Sequence, residues 1–335
     1  MTSGVLAATP LRLSLGGGGT DLPSYARVHG GLVVGFAIDR VVSVAAHPRM
    51  FGGGVRACLE RTETAPTAAG LSDPFTRAAL AAHGVDSGVQ IASFGDAPPG
   101  SGLGGSAAYT VSLLHALHRL GAPHGAVDAG LLAERAAAVE MERLGRPVGK
   151  QDHYLAALGG AHVLRVGTDL GVTAEPLKPA PEVVGYIADR LLLFHTGRTR
   201  DAGGVLAAQA GRTDAGDRAT VRALHAIREV ADAMTAAFTA GDTERIGPLL
   251  DAHWRHKRAL SPAVTTPEID RLYSAGTAAG ADGGKLLGAG GGGFLLLSSR
   301  PGRQADIRAT MTALGAAELP FAYSPAGTRS LALGA

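Results

Sequence analysis

The stretch that most constrains this chain is residues 98–108, which read Pro98-Pro99-Gly100-Ser101-Gly102-Leu103-Gly104-Gly105-Ser106-Ala107-Ala108. The apolar run at 89–94 before it reads as a strand, and Val111, Leu114 and Leu117 after it fall at helical spacing. The chain therefore passes from strand to glycine-rich loop to helix N-terminus. Backbone N–H groups in such a loop converge on an anion, and the helix start adds partial positive charge. Glycine lets phosphate oxygens reach the backbone, where a Cβ would hold them off. The loop is expected to hold phosphate.

Two other readings compete for it. Gly100-x-Gly102-x-x-Gly105 matches the dinucleotide-binding fingerprint, which requires a βαβ unit and an acidic residue about 20 positions on, at a strand end. Residues 106–144 read as two successive helices, so Asp128 falls between helices and the context is missing. The plainer alternative is a loop that only starts a helix, with Ser106 as its cap. The rest of the chain decides between them.

Composition removes several classes. The formal net charge is +2 with no Lys/Arg block, so neither nucleic acid nor an anionic membrane is expected as a partner. No run is apolar for the length of a membrane span, and the first residues lack the basic-then-apolar pattern of a signal peptide. A single cysteine, Cys58, excludes an intrachain disulfide framework and a multi-cysteine zinc site. The cytoplasm is the expected compartment. At 335 residues, the chain has room for two domains or one large one.

Two further glycine clusters flank candidate functional residues. Gly16-Gly17-Gly18-Gly19 runs into Thr20-Asp21-Leu22-Pro23, where a carboxylate can accept hydrogen bonds from hydroxyls of a ligand. Arg12 precedes it on an alternating strand at 5–15. Near the other end, Lys285-Leu286-Leu287 leads into the cluster at 288–293; no Ser or Thr follows Lys285, so this is not a Walker A loop. Between them, Glu140 stands on a helix expected over 131–144, and Asp152 opens a short helix at 154–158. Each of these has a bland alternative: strand face for Arg12, turn residue for Asp21, helix cap for Asp152. His115, His118, His253 and His256 read as helix-packing or solvated residues, and His124 shows no metal-site context.

Elsewhere, 32–38 and 41–47 read as a hairpin turning at Asp39-Arg40, and 167–181 as a linker or excursion. Strands are expected at 55–59, 89–95, 161–166, 190–196 and 294–298, with short ones near 318–321 and 330–333. Helices are expected at 73–82, 219–240, 243–256, 267–280 and 304–314.

Taken in order, Pro10-Leu11-Arg12 with Gly17-Gly18-Gly19-Thr20-Asp21-Leu22-Pro23, then Pro98 with Gly102-Leu103-Gly104-Gly105-Ser106-Ala107-Ala108, then Lys285-Leu286-Leu287-Gly288-Ala289-Gly290-Gly291-Gly292-Gly293 resemble the three motifs of the GHMP small-molecule kinases. The resemblance spans nearly the whole chain. Ala37-Ile38-Asp39, Gly149-Lys150-Gln151-Asp152 and residues 192–200 are most similar to the family's sugar-1-kinase branch.

That resemblance implies an α+β, two-domain GHMP-kinase-type fold with the active site between the domains, divided as 1–166 and 167–335. It implies ATP- and Mg²⁺-dependent phosphoryl transfer to a small-molecule sugar phosphate, with the anomeric hydroxyl of a heptose 7-phosphate as acceptor. Pro99, Gly100, Ser101, Gly102, Leu103, Gly104, Gly105 and Ser106 would wrap the triphosphate. Ser106 and Glu140 match the positions that bind Mg²⁺, Asp152 the carboxylate beside the acceptor hydroxyl, and Arg12 the basic residue near it. Asp21, with Gly19, Thr20 and Gly291, would hold the sugar. Lys150, Arg198 and Arg200 would meet the phosphate at its far end.

The family motif usually carries a serine pair where this chain has Gly105-Ser106, and His153 and His195 also depart from the branch pattern. The remaining alternatives are another acceptor (a hexose, an amino sugar, a mevalonate-like or amino-acid alcohol), a nucleotide-binding paralogue without catalysis, and a dinucleotide oxidoreductase. A monomer or homodimer is expected.

Overall fold

Alternation of Leu11, Leu13 and Leu15 with Arg12 and Ser14 produces one long strand, β1 (Gly4–Gly16), with all three leucines buried. The computed structural model describes residues 4–123, 125–199 and 202–334. Strand β1 lies between β2 (Gly31–Pro48) and a strand from far along the chain. In order follow β3 (Val55–Cys58), β4 (Thr62–Ala65), β5 (Val89–Gly95), β6 (Ala161–Val166) and β7 (Val172–Leu177), all in the same sheet. A second sheet holds β8 (Leu191–His195), β9 (Ala281–Leu286), β10 (Phe294–Ser299) and β11 (Ala317–Glu318) in the order β11-β8-β10-β9. The last strand, β12 (Arg329–Leu333), returns to the first sheet and pairs antiparallel with β1.

The hairpin expected at Asp39-Arg40 is not formed. Both halves pair with β1, Ala46 opposite Val5 and Val34 opposite Gly16, so β2 runs straight through with an irregularity near Pro10. The polar pair that suggested a turn is satisfied at its own position instead. Asp39 accepts the Ala322 N–H at 2.8 Å, and Arg40 donates to the Pro320 carbonyl at 2.7 Å. The first part of β2 pairs with β6 and the second with β5, so the sheet forks along one strand. Residues 167–181 hold no free linker: 172–177 fold back on β6. Strands β7 and β12, on the far side of the expected division at 166/167, thus share a sheet with β1–β6.

Besides the short helix Pro23–His29, two longer helices had no counterpart in the sequence reading, Pro181–Arg190 and Ala202–Asp214. Their apolar faces are interrupted by Gly185, Gly203, Gly204 and Gly211, which weakens the helical period. Strand β9 was also hidden, because Gly283-Gly284-Lys285 reads as loop chemistry. It forms because β10 supplies its ladder.

The three largest of four core clusters among the described residues hold these parts together. One packs helices Pro74–His83, Gly105–Gly121 and Ala129–Ala138 onto the first sheet. Another joins the sheets, with Leu13 and Leu15 in the same cluster as Leu193 and Leu296. The third surrounds Trp254 on the helix Ile246–Arg258, behind the second sheet. Among the described residues, no helix is long and apolar enough to cross a membrane.

Candidate active site

A cleft of about 1180 Å³ opens along the glycine-rich loop, and Arg12, Asp21, Glu140 and Asp152 all line it. Gly100, Gly102 and Gly104 take positive φ values of 72°, 86° and 77°, and the helix Gly105–Gly121 starts directly after them. First-turn N–H groups have no intrahelical partner, and Gly105, Ser106 and Ala107 present that turn to the cleft. Pro99 lies at the rim.

Ser101 and Leu103 are buried and anchor the loop from behind rather than facing the cleft. The Ser101 carbonyl accepts the Phe294 N–H at 2.9 Å, and the Leu103 carbonyl accepts the Arg12 N–H at 3.1 Å. The third glycine cluster supports the loop by close backbone contact. A Cβ on Gly102 would stand 2.8 Å from the Leu287 carbonyl oxygen, and one on Gly288 would stand 2.6 Å from the Gly102 Cα.

Arg12 leaves β1 toward the cleft and makes three contacts. Its Nε donates to Asp152 Oδ1 at 2.7 Å, its Nη2 meets Oδ2 at 2.6 Å, and its Nη1 donates to the Gly102 carbonyl at 2.6 Å. The Arg12 side chain is 4% exposed and that of Asp152 29%, so the carboxylate is held from behind and open in front. The helix Gln151–Leu158 begins earlier than expected and carries Asp152 in its first turn.

Beside this pair, Asp21 accepts the Gly19 N–H at 3.1 Å, the Gln151 N–H at 3.2 Å and the Gln151 side-chain amide at 3.0 Å. Burial raises its pKa above the usual aspartate value, and the Asp152 charge adds to this against those backbone donors. Ser14 Oγ and Gln151 Oε1 face the same part of the cleft, buried and without hydrogen-bond partners among the described residues. Unpartnered buried polar atoms are rare, and here they give a ligand with hydroxyl groups somewhere to bond.

Glu140 sits in a wide helical turn, Val139–Arg143, which follows the helix Ala129–Ala138 where one continuous helix was expected. Its carboxylate is buried, 3.5 Å from Ser106 Oγ, 3.2 Å from His153 Nε2 and 3.6 Å from Arg146 Nε. A hydroxyl and a carboxylate are donors suited to a hard cation such as Mg²⁺, which takes its remaining oxygens from phosphates and water. No cluster of three or more His, Cys, Asp or Glu among the described residues forms an all-protein metal cage. A Mg²⁺ held jointly by Ser106, Glu140 and a nucleotide fits this donor set.

Several expected contacts fall elsewhere. The Thr20 hydroxyl is fully buried between the Gly17 carbonyl, at 2.8 Å, and the backbone of Leu32, so it braces the loop and cannot reach a ligand. Lys150 Nζ donates to Glu134 at 2.7 Å, outside the cleft lining. Arg198 is 60% exposed, 3.8 Å from Glu268, and likewise outside it. Gly291 gives its N–H to the Val264 carbonyl, and its neighbours Gly290 and Gly292 line the cleft instead. Arg200 and His124 lie outside the described residues.

Sequence reasoning missed the buried base of the cleft. Lys257, Lys285 and His253 all line it. Lys285 Nζ donates to the Ser14 carbonyl at 2.9 Å and lies 3.3 Å from His253 Nε2. Burial, then the neighbouring Lys257 and Arg12 charges, drives Lys285 well below the usual lysine pKa. Burial and the two lysines likewise hold His253 well below the usual histidine value. The only signal in the sequence was a lysine within β9, beside a glycine cluster that is not a Walker loop. Gln209 was missed with its helix; its amide reaches the Gly19 carbonyl at 3.3 Å.

Known proteins share the family and the fold of this chain. The GHMP kinase N-terminal domain model matches residues 74–160 and the C-terminal domain model residues 234–317, together a little over half of the chain. A D-glycero-alpha-D-manno-heptose 7-phosphate kinase of Campylobacter jejuni is 28% identical over 96% of this chain and 97% of its own length. A Mycobacterium bovis galactokinase is 28% identical over 83% of each chain. In fold, the crystal structure of a D-glycero-D-manno-heptose 1-phosphate kinase from Bacteroides thetaiotaomicron superposes with a TM-score of 0.80 at 22% identity, covering 99% of this chain and 100% of that one. The dinucleotide reading of the loop is thereby set aside. The chain belongs to the GHMP kinase family and is an ATP-dependent phosphotransferase with an alcohol group as acceptor.

Proposed function

We propose that the protein is a sugar kinase that transfers the γ-phosphoryl group of MgATP to the anomeric hydroxyl of a heptose 7-phosphate, giving a 1,7-bisphosphate. The observation that carries the sugar assignment is the cluster of Asp21, Gln151 and the unpartnered Ser14 hydroxyl beside Asp152. Asp21 and its neighbours would orient the ring hydroxyls. Asp152, fixed by Arg12, would take the proton of the attacking hydroxyl, whose oxygen forms the new bond to phosphorus as the bond to ADP breaks. First-turn N–H groups of the glycine-rich loop would bind the phosphates. Mg²⁺, held by Ser106 and Glu140, would supply the neutralising charge. The heptose 7-phosphate acceptor is supported by the full-length similarity to the Campylobacter jejuni enzyme.

A second reading keeps the reaction and changes the acceptor to an unphosphorylated sugar. It is favoured by Lys150 and Arg198, two of the three side chains expected at the far-end phosphate, which pair with Glu134 and Glu268 away from the cleft. The test is a screen of heptose 7-phosphate, free heptoses and hexoses with ATP, reading ADP release and identifying the product by NMR. Turnover best with the 7-phosphate, with phosphate added at C1, is the expected result. Better turnover of an unphosphorylated sugar selects the second reading.

A further inference from the structure

Lys257 lies in the last turn of the helix Ile246–Arg258 and is buried at the cleft, next to the glycine loop. Its Nζ donates to the Gly288 carbonyl and, at 3.3 Å, to the Leu286 carbonyl. An ammonium has three N–H donors, and no third acceptor is present among the described residues. Gly288, which receives the first of these bonds, packs on Gly102, whose carbonyl accepts from Arg12. The backbone from Lys257 to the Arg12–Asp152 pair is thus a short series of direct contacts. Once protonated, the amine has one donor free beside a site for anions and is placed to meet developing negative charge.

We propose that Lys257 donates this remaining N–H to a non-bridging oxygen of the phosphoryl group during its transfer. The inference rests on the reacting centre lying at Asp152. Throughout the step Lys257 keeps its protons, the hydroxyl proton goes to Asp152, and the electron pair of the broken bond leaves with ADP.

The electrostatics agree. Burial and then the Arg12 charge bring Lys257 down to a pKa of about 7, and Asp152 acts in the opposite direction. The other groups facing it are Lys285 on β9 and His253 on its own helix. Of the charges named, only Asp152 favours the ammonium, so an arriving phosphate would be its main counter-charge. Binding should then draw a proton onto the amine.

The experiment compares Lys257→Met, Lys257→Arg and Asp152→Asn with wild type. Kinetics are read as ADP release with the best acceptor from the screen. Proton uptake is read by calorimetric titration with a non-hydrolysable MgATP analogue at pH 8, in two buffers of different ionisation enthalpy. In Lys257→Met, kcat should fall about 10²–10³-fold, as for loss of one transition-state donor, with the KM for ATP changed far less. Lys257→Arg should recover part of that loss. Wild type should take up close to one proton on binding, and Lys257→Met none. Equal proton uptake in wild type and Lys257→Met overturns the inference, as does a near-normal kcat in Lys257→Met when Asp152→Asn is impaired. A fully active Asp152→Asn enzyme overturns the underlying placement of the centre, and the inference with it.

Discussion

Arg12 and Asp152, separated by 140 residues in sequence, are joined by two parallel contacts of 2.7 and 2.6 Å. Such a bidentate pair fixes the plane of the carboxylate as well as its position. It also leaves one carboxylate face open to the cleft.

Asp152→Asn should keep the fold, because the amide oxygen can still accept from Arg12. It should lower kcat by about 10²–10⁴-fold, the usual value of general-base assistance. Single-turnover rates measure the chemical step directly. A wild-type rate there would reduce Asp152 to a partner of Arg12.

Ser106→Ala and Glu140→Gln should each raise the Mg²⁺ concentration needed for half-maximal activity. Ser106→Ala removes a hydroxyl oxygen and Glu140→Gln removes the negative charge and one carboxylate oxygen, from atoms that lie 3.5 Å apart and suit a hard cation. Mg²⁺ titrations at fixed ATP decide it, and superimposable curves for both variants would remove the metal from this corner.

Gly104→Ala tests the loop from an unexpected side. A Cβ there would lie 3.2 Å from Arg12 Cγ, at a φ of 77° that strains any side chain. The sequence suggested that bulk at this position would block phosphate directly. The geometry says that it disturbs Arg12, and through Arg12 the carboxylate. A fall in kcat of about 10- to 100-fold, larger than the change in ATP affinity, is expected. An effect confined to ATP affinity would return the position to the phosphate cradle.

Lys150→Ala and Arg198→Ala should change the acceptor KM by less than about threefold, since both form ion pairs away from the cleft and such pairs contribute about 0–1 kcal/mol. A tenfold rise for either would mean that its loop reaches the acceptor in the working enzyme.

Stability should depend on pH through Lys257. Its pKa is about 7 when folded, against 10.5 for an ordinary lysine. Between those values the unfolded chain binds the additional proton, so stability rises with pH across that window. Below it both states are protonated and the full destabilisation remains. Measured by urea unfolding, wild type should gain about 1.4 kcal/mol per pH unit relative to Lys257→Met between about pH 8 and 10. Parallel pH profiles would show that Lys257 is protonated in the folded chain throughout.

The three glycine clusters were legible because their chemistry is local: a loop that holds phosphate must be glycine-rich wherever it is packed. Arg12, Asp21, Glu140 and Asp152 could be named only through the order of those clusters, which carries the family resemblance; read locally, Arg12, Asp21 and Asp152 fit a strand face, a turn and a helix cap equally well. Contacts that depend on which way a side chain turns were not legible. Lys150 and Arg198 were chosen because their loops lie near the site, yet Glu134 and Glu268 take them. Lys257 and Lys285 were passed over because burial of a lysine is a property of the folded whole. The false hairpin at Asp39-Arg40 has the same origin: a polar pair reads as a turn unless its partners, near Pro320 and Ala322, are known.

Strand β1 carries Arg12, and its contacts come from distant parts of the sequence: Gly102 and Leu103, then Asp152, then Lys285, then β12. During synthesis β1 emerges before all of them, so the arrangement around Arg12 and Ser14 closes only when Lys285, 271 positions after Ser14, has been added. Such distant pairings make folding slow and leave apolar strands exposed in the interval. A chain stopped before β9 could form the glycine-rich loop and the Arg12–Asp152 pair, yet it would lack the lysine that ties Ser14 and the backbone that Gly102 rests against. Activity should therefore appear late in refolding, after most secondary structure has formed.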